Sequence, residues 1–261
     1  MKLALVNPAL AAGASERNLA ELRALLDPLR PQLESSDLVL LPEHWHFGGW
    51  DDYLADTQGL ARWLGCHLVA GSFHKHEEAG PVNTGAVLGP TGEILHRYDK
   101  LRPYGVERNW VVPGQHFGAF QLQGRRISVM ICADFWFTDL FLRHTPLPDL
   151  VLVPALSVTR KPSPTYSRAL WQHLAVARAY EYGLYVGVSD WAVGSDLPHL
   201  PASGVSGFAD PTQTNAEALF QPVAPVGLVE LDFARLDAFR QDRRSQGFFW
   251  DDPRSPLKVA L

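Results

Sequence analysis

The chain has few cysteines, no cluster of basic residues and no long apolar run, and each shortage excludes a class of protein. Its two cysteines, Cys66 and Cys132, are too few for a disulfide framework and favour a reduced, intracellular protein. The 23 Lys and Arg residues are outnumbered by 28 Asp and Glu and are scattered, so a nucleic-acid surface is not expected. No run approaches the roughly 18 apolar residues of a membrane span. We therefore expect a cytoplasmic protein without nucleic-acid or membrane partners.

The sequence that remains is typical of a layered α/β domain. Hydrophobic residues make up 46% and charged residues 20%, which favours a folded globular chain over a disordered one. Short apolar runs alternate with longer amphipathic ones, as in proteins that pack helices against sheets. The apolar start at residues 3–6 is interrupted by Asn7 and Pro8, so we interpret it as a first strand and not as a signal peptide. No repeat or linker divides the chain, and residues 1–261 are predicted to be one domain.

Hydrophobic periodicity predicts two clear helices. In the first, at residues 15–33, Ser15 can cap the start and four leucines share a face, namely Leu19, Leu22, Leu26 and Leu29. The second, through "YSRALWQHLAVARAYEYG", is closed by Gly183. Turns at 89–93 and 209–214 are each expected to join two strands. The predicted strands are 3–7, 37–41, 67–73, 82–88, 93–98, 126–132, 150–155, 185–189, 204–209 and 227–233.

Three predicted strands are followed by, or end on, a reactive side chain: Glu43, Lys100 and Cys132. Functional groups collect in the loops beyond the carboxyl ends of strands, so these three could meet in one pocket. Singly, each has an ordinary explanation, since free cysteines are often inert core residues and exposed charges are often only solvated. The combination is what points to chemistry.

The segments around these residues resemble the three signature segments of the nitrilase superfamily, the carbon–nitrogen hydrolases. They are "LPEHW", "YDKLRPYGVERNWVVPG" and "ISVMICADFWF", and the similarity continues through "PDLVLVPALS", "WQHLAVARAYEYGLYVGVSD" and "SGVSGFADP". The resemblance implies an α-β-β-α sandwich and a Glu-Lys-Cys triad of Glu43, Lys100 and Cys132. Glu107, in "GVERNW", matches a further glutamate that positions the lysine and the substrate. The resemblance also implies a homodimer or larger assembly, for which the tail "GFFWDDP" offers a contact.

Hydrolysis of a carbon–nitrogen bond by a thiol requires the same residue types: a nucleophile, a base and a cation. A thiol with a pKa near 8.5 needs a base, and Glu43 can serve if burial raises its own pKa toward neutrality. Lys100 can stabilise the oxyanion together with a backbone N–H near Cys132, and a thioester follows that water hydrolyses. No metal or organic cofactor is required. We predict an amidase that releases ammonia from a small carboxamide; hydrolysis of a nitrile or an N-carbamoyl group, or a non-catalytic binding protein of the same fold, remain alternatives.

Other motifs suggest rival sites. The pairs "HWH" (His44 and His46) and "HKH" (His74 and His76) could each place two imidazoles on one face of a strand, but spacing marks out no third metal ligand, so no metal site is predicted. Neither "GVSG" nor "GVSDW" completes the G-x-S-x-G motif of a serine hydrolase.

Aromatic residues follow both the candidate base and the candidate nucleophile. If they line the pocket, neutral amides with an apolar or aromatic acyl group should be preferred, because a buried carboxylate without a cation is costly. The alternative is that the rings pack in the core or at a subunit interface, and nearby arginines could also reverse the preference. The aromatic segments contain Trp45, His46, Phe47, Phe135, Trp136 and Phe137, and the arginines are Arg102, Arg108 and Arg160.

Overall fold

The computed structural model describes residues 1–248, which form two β-sheets and the helices that cover them. The helices are α1 Ser15–Leu26, α2 Trp50–Leu64, α3 Thr138–Leu142, α4 Pro164–Tyr182 and α5 Phe233–Ser245. The strands are β1 Lys2–Val6, β2 Leu38–Leu40, β3 His67–Val69, β4 Phe73–Glu77, β5 Gly80–Leu88, β6 Ile94–Asp99, β7 Ala119–Leu122, β8 Arg125–Val129, β9 Leu150–Pro154, β10 Tyr185–Ser189, β11 Gly207–Ala209, β12 Phe220–Pro222 and β13 Val226–Glu230.

The strands are divided between two sheets of similar organisation. The first has the order β13-β1-β2-β3-β5-β4, with β6 also paired to β5, and the second has the order β12-β11-β10-β9-β8-β7. In each sheet three central strands run parallel, β1-β2-β3 in the first and β8-β9-β10 in the second, while the outer pairs are antiparallel. The loops that follow the parallel strands therefore collect at one edge of each sheet.

Successive side chains along a strand point to opposite faces of the sheet and pack against different layers. Leu3 and Leu5 of β1 enter an apolar core shared by the two sheets, whereas Ala4 and Val6 enter a second core beneath α1 and α2. The second sheet repeats the pattern, with Leu152 in the shared core and Val151 in a third core beneath α3 and α4. Strands buried on both faces read as continuous apolar runs, which is what the sequence shows. The layers stack as α-β-β-α, and the predicted fold is confirmed.

The two predicted helices form, with one correction. Helix α4 ends at Gly183, whose φ of 58° is left-handed and suits a residue without a Cβ. Helix α1 stops at Leu26, and the rest of the predicted span contains a short 3₁₀ turn at Arg30–Gln32. Ser15 does not cap α1, because it is the first residue of the helix and Ala14 takes the N-cap position; the Ser15 Oγ instead accepts a hydrogen bond from the Phe47 N–H at 2.8 Å.

Several predicted strands have different bounds in the structure. The span 67–73 is interrupted after β3, and β4 begins only at Phe73. The span 126–132 ends at Val129, so Cys132 opens a 3₁₀ helix, Cys132–Trp136, instead of closing a strand. The span 204–209 is strand only from Gly207, and the span 227–233 ends at Glu230 because α5 starts at Phe233. Strands β4, β7 and β12 and helices α2, α3 and α5 were not predicted.

The predicted contact segment "GFFWDDP" reaches beyond the described part of the chain. Of this segment, only Gly247 and Phe248 belong to the described residues, and residues 249–253 lie outside them. Within residues 1–248, no helix combines the length and the apolar character needed to cross a membrane. Both cysteines are free, Cys66 in the core beneath α2 and Cys132 partly exposed.

Candidate active site

The structure brings the four predicted site residues together at the edge where the two sheets meet. Glu43 follows β2 and Lys100 follows β6, both in the first sheet, while Cys132 follows β8 in the second. Lys100 Nζ donates to Glu43 Oε1 at 2.8 Å and lies 2.6 Å from Glu107 Oε2. The charges of Glu43 and Lys100 both act on the pKa of the Cys132 thiol, so the sulfur lies near both groups. Residues that are separated by tens of positions in sequence thus share one buried cluster.

Glu43 is held by hydrogen bonds from the opposite sheet. Its backbone N–H donates to the Ala155 carbonyl at 3.2 Å, and its carbonyl accepts the Trp191 indole N–H at 2.7 Å. The carboxylate accepts the Leu156 N–H on Oε2 at 3.1 Å. Gly71, with a φ of 73°, also packs against this loop, where a Cβ would lie 2.1 Å from the Pro42 carbonyl oxygen. The carboxylate therefore has a fixed position.

Lys100 lies between two carboxylates and remains charged. It is only 4% exposed, so burial acts to lower its pKa, but the charges of Glu43 and Glu107 outweigh burial and raise the pKa above its ordinary value. Its loop is tied to the nucleophile, because the N–H groups of Leu101 and Arg102 donate to Asp134 in the turn that Cys132 opens. The ammonium is held beside the sulfur-bearing turn.

The ionisation of Glu43 differs from the sequence-based expectation. Burial does act to raise its pKa, but Lys100 and His44 outweigh burial and hold the pKa below its ordinary value. Burial raises the pKa of the Cys132 thiol well above its ordinary value, and the charge of Glu43 adds to that effect. The resting pair is therefore a carboxylate and a neutral thiol, so the base is already deprotonated near neutral pH and the thiol is not.

Cys132 occupies an unusual backbone position. Its φ of 46° lies in the left-handed region that non-glycine residues seldom adopt, and such conformations cluster at functional sites. The sulfur lies 3.8 Å from the Leu156 carbonyl oxygen and borders a cavity. The turn lifts the thiol out of the sheet and toward that cavity.

Glu107 has several partners besides Lys100. It lies in the 3₁₀ helix Gly105–Asn109, and its Oε1 accepts the Asn83 side-chain N–H at 2.8 Å. The same Asn83 nitrogen donates to Glu43 at 2.9 Å, so one amide holds both carboxylates. Asn83 was not predicted. Its only signal in the sequence is a polar amide inside an apolar strand, where asparagine is disfavoured.

The four histidines of the "HWH" and "HKH" motifs do not pair within their motifs, although the sequence had suggested such pairs. His44 and His74 come from separate motifs, yet their rings lie 3.9 Å apart, and His74 Nε2 is 3.1 Å from Glu107 Oε1. His46 instead pairs with Asp56 at 3.2 Å, and His76 is exposed. The two histidines of one motif therefore do not pair with each other. The pair that forms, His44 with His74, joins the two motifs and lies beside Glu107.

The cavity beside Cys132 has a volume of about 270 Å³ and mainly apolar walls. Of the aromatic residues considered above, Trp136 and Phe137 line it, whereas Trp45 and Phe135 are buried in the core. None of the described residues that line it carries a charge. They are Tyr104, Cys132, Ala133, Trp136, Phe137, Leu156, Ser157, Val158, Ser167, Leu170 and Trp171. Arg102 and Arg108 line a neighbouring depression that shares Tyr104 and Phe137.

The family model for carbon–nitrogen hydrolases matches residues 2–241, and the chain belongs to that family. It is 29% identical to the 2-oxoglutaramate amidase of Bacillus subtilis over 198 residues, which cover 70% of this chain and 73% of that protein. It is 27% identical to the omega-amidase NIT2 of Xenopus tropicalis over 141 residues, and that match spans about half of each protein, 50% and 49%.

A solved structure from the same superfamily has the same fold. The carbon–nitrogen hydrolase superfamily protein XC1258 of Xanthomonas campestris, whose active site carries an arsenic adduct, superimposes with a TM-score of 0.78. The match covers 100% of this chain and 98% of that one at 22% identity.

Proposed function

We propose that this carbon–nitrogen hydrolase is an amidase that cleaves small carboxamides through a thioester on Cys132. The observation that carries the proposal is the buried cluster in which a single ammonium, Lys100, lies between Glu43 and Glu107 beside the thiol. Two curated relatives are named as amidases, which supports the same class of reaction.

The geometry assigns a role to each group in the first half-reaction. Glu43 takes the proton from the Cys132 thiol as sulfur attacks the carbonyl carbon, because its carboxylate is already ionised while the thiol is not. Lys100 donates to the developing oxyanion, aided by a backbone N–H near Cys132. The tetrahedral intermediate then expels ammonia, which receives the proton held by Glu43, and a thioester remains on sulfur.

The second half-reaction uses the same groups. Glu43 takes a proton from water, the hydroxide adds to the thioester carbon, and the C–S bond breaks to release the acid and restore the thiol. Glu107 shares Lys100 with Glu43 and keeps the ammonium in place; it does not exchange protons with the substrate. Because Asn83 donates to both carboxylates, their separation is maintained through both steps.

The walls of the cavity indicate which acyl group is accepted. Trp136, Phe137, Trp171 and Leu170 offer apolar surface beside the sulfur, and the polar groups at the walls are hydroxyls and backbone. Burial of a substrate carboxylate in this cavity without a cation would cost roughly several kcal/mol of binding free energy. We therefore propose neutral amides with an apolar or aromatic acyl group as the substrates.

The test is kcat/KM for matched pairs of neutral and ω-carboxylated amides of equal length, with ammonia release as the readout. A preference of tenfold or more for the neutral member is expected, and a tenfold preference for the acidic member, about 1.4 kcal/mol, would overturn the substrate assignment. Arg102→Gln and Arg108→Gln serve as controls, since both residues line the neighbouring depression and neither lines the cavity. If these variants abolish use of the acidic amide, its carboxylate binds in that depression.

The same panel decides between the reactions that the triad can support. If the carboxamide is the natural bond, nitriles and N-carbamoyl compounds matched to the best amide should be turned over more slowly. Faster turnover of a nitrile would replace the amidase assignment by nitrilase. A homodimer or larger assembly stays a prediction, which sedimentation of the full chain can test.

A further inference from the structure

Two histidines that the proposed triad chemistry does not use lie beside Glu107. His74 Nε2 is 3.1 Å and His44 Nε2 is 3.8 Å from Glu107 Oε1. One ligand atom from each of the three residues falls within 4.8 Å of the other two. Bonds of about 2.1 Å around a tetrahedral zinc ion place its ligand atoms roughly 3.4 Å apart, so small side-chain rotations would complete the set.

The charge around this group also favours a cation. Glu43 and Glu107 supply two negative charges, and Lys100 supplies one positive charge between them. The two carboxylates therefore outnumber the one ammonium in this largely buried cluster. His44 Nε2 lies on the side of Glu43 as well, 3.4 Å from its Oε1, so a cation held by the imidazoles would face both carboxylates.

The group can be reached without passing through the substrate cavity. The side chains of His44 and His74 are 16% and 25% exposed, and neither residue lines the cavity beside Cys132. Trp110, which is half exposed, contacts the His74 ring, with 4.4 Å between the ring centroids. A small ion from solvent therefore has its own approach to Glu107.

We propose that His44, His74 and Glu107 bind one divalent cation of the zinc type, and that this binding reversibly inhibits the enzyme. Two imidazoles with one carboxylate suit Zn²⁺ or Co²⁺ better than Mg²⁺ or Ca²⁺, which prefer oxygen ligands. Binding replaces the contact between His74 and Glu107 by bonds to the ion, and His74 then carries its proton on Nδ1. The ion shares Glu107 with Lys100, so it repels the ammonium and weakens its hold. The inhibition, unlike the binding, rests on the proposed function.

Binding is measured directly on a variant in which the sulfur of Cys132 cannot serve as a ligand. Co²⁺ is titrated into Cys132→Ala, and the visible ligand-field absorption of cobalt is expected to saturate at one equivalent. His44→Gln and His74→Gln, each in the Cys132→Ala background, should weaken binding at least tenfold. His76→Gln is the matched control, because His76 lies on the same strand as His74 but is exposed and outside the group, and it should bind as tightly as the parent. Two ligand variants are used so that a folding defect in one leaves the other to decide.

Inhibition is measured separately on the protein with Cys132 intact. Zn²⁺ should suppress turnover, EDTA should restore it, and His76→Gln should respond as the wild type does. The site is refuted if Cys132→Ala shows no saturable binding, or if both ligand variants bind as tightly as the parent. A thiolate-to-cobalt charge-transfer band with the intact thiol, and no binding without it, would place the ion on Cys132 instead. Binding without inhibition would overturn the regulatory role. If the protein shows no turnover at all, the proposed function is refuted, and the cobalt titration still tests the site.

Discussion

Replacing Lys100 by methionine should reverse the way in which this cluster responds to pH. In the wild type, Lys100 opposes the effect of burial and keeps the pKa of Glu43 below its ordinary 4.5. The ionised Glu43 thus contributes stability at neutral pH that is lost only as the pH falls through its lowered pKa. In Lys100→Met, burial and the charge of Glu107 act to raise that pKa against His44 alone, so ionised Glu43 is expected to become destabilising.

The magnitudes follow from the buried pair. Removing one partner of a buried ion pair costs about 3–5 kcal/mol, and that loss is expected in the free energy of unfolding at pH 7. As the pH falls from 7 toward 5, Glu43 of the variant binds a proton before the unfolded chain does. The deficit relative to the wild type should then shrink by up to about 1.4 kcal/mol per pH unit. Turnover at pH 7 should fall by at least about 3 kcal/mol in transition-state stabilisation, the scale of a lost oxyanion donor.

Urea denaturation of both proteins at several pH values measures the deficit directly, because groups common to both cancel in the difference. Lys75→Met is the control, since Lys75 Nζ lies 2.7 Å from Glu77 at the surface. An exposed pair of this kind is worth about 0.2–1 kcal/mol and should show little dependence on pH. A Lys100→Met deficit below about 1 kcal/mol, or one that stays constant from pH 7 to 5, would refute the assignment of a buried, charge-stabilised Glu43.

Four further predictions concern the proposed site residues. Cys132→Ala and Cys132→Ser should abolish turnover with a nearly unchanged Tm, and substantial activity in the alanine variant would remove sulfur from the mechanism. Glu43→Gln should lose most of the rate and the acidic limb of the pH profile, which in the wild type lies below pH 4.5 because the pKa of Glu43 is lowered. Glu107→Gln should be slower with a profile of the original form, and identical profiles for the two variants would contradict their separate roles. Iodoacetamide should modify Cys132 before Cys66, because Cys66 is fully buried whereas Cys132 is partly exposed beside the proposed base Glu43; peptide mapping with and without substrate checks both the order and the protection.

Elements with a full apolar pattern were predictable from the sequence, and those without one were not. Helix α4 has both the period and the closing Gly183, and the parallel strands are continuous apolar runs. Helix α5 buries only Phe233, Leu236 and Arg243, so its sequence lacks an apolar face. Strand β4, "FHKHE", is polar on both sides and is defined by its pairing with β5.

The candidate site was predictable in its chemistry but not in its surroundings. A carboxylate, an ammonium and a thiol at the ends of three predicted strands are a local signal, and the segments around them resemble a known family. The contact between His74 and Glu107 spans 33 positions, and that between Asn83 and Glu43 spans 40, so only the folded chain brings these groups together. The depressed pKa of Glu43 was missed for the same reason, since it depends on the distance to Lys100.

The proposed base and nucleophile are carried by opposite sheets, so the apolar core between the sheets also affects the geometry of the site. Glu43 is pinned to the loop after β9 by Ala155 and Leu156, while Cys132 rises from the end of β8. Any sliding of one sheet over the other would change the gap between sulfur and carboxylate, whereas loosening of the outer helices would leave that gap intact. The leucines of the shared core, against which Cys132 also packs, therefore help to set the distance between the sulfur and the carboxylate.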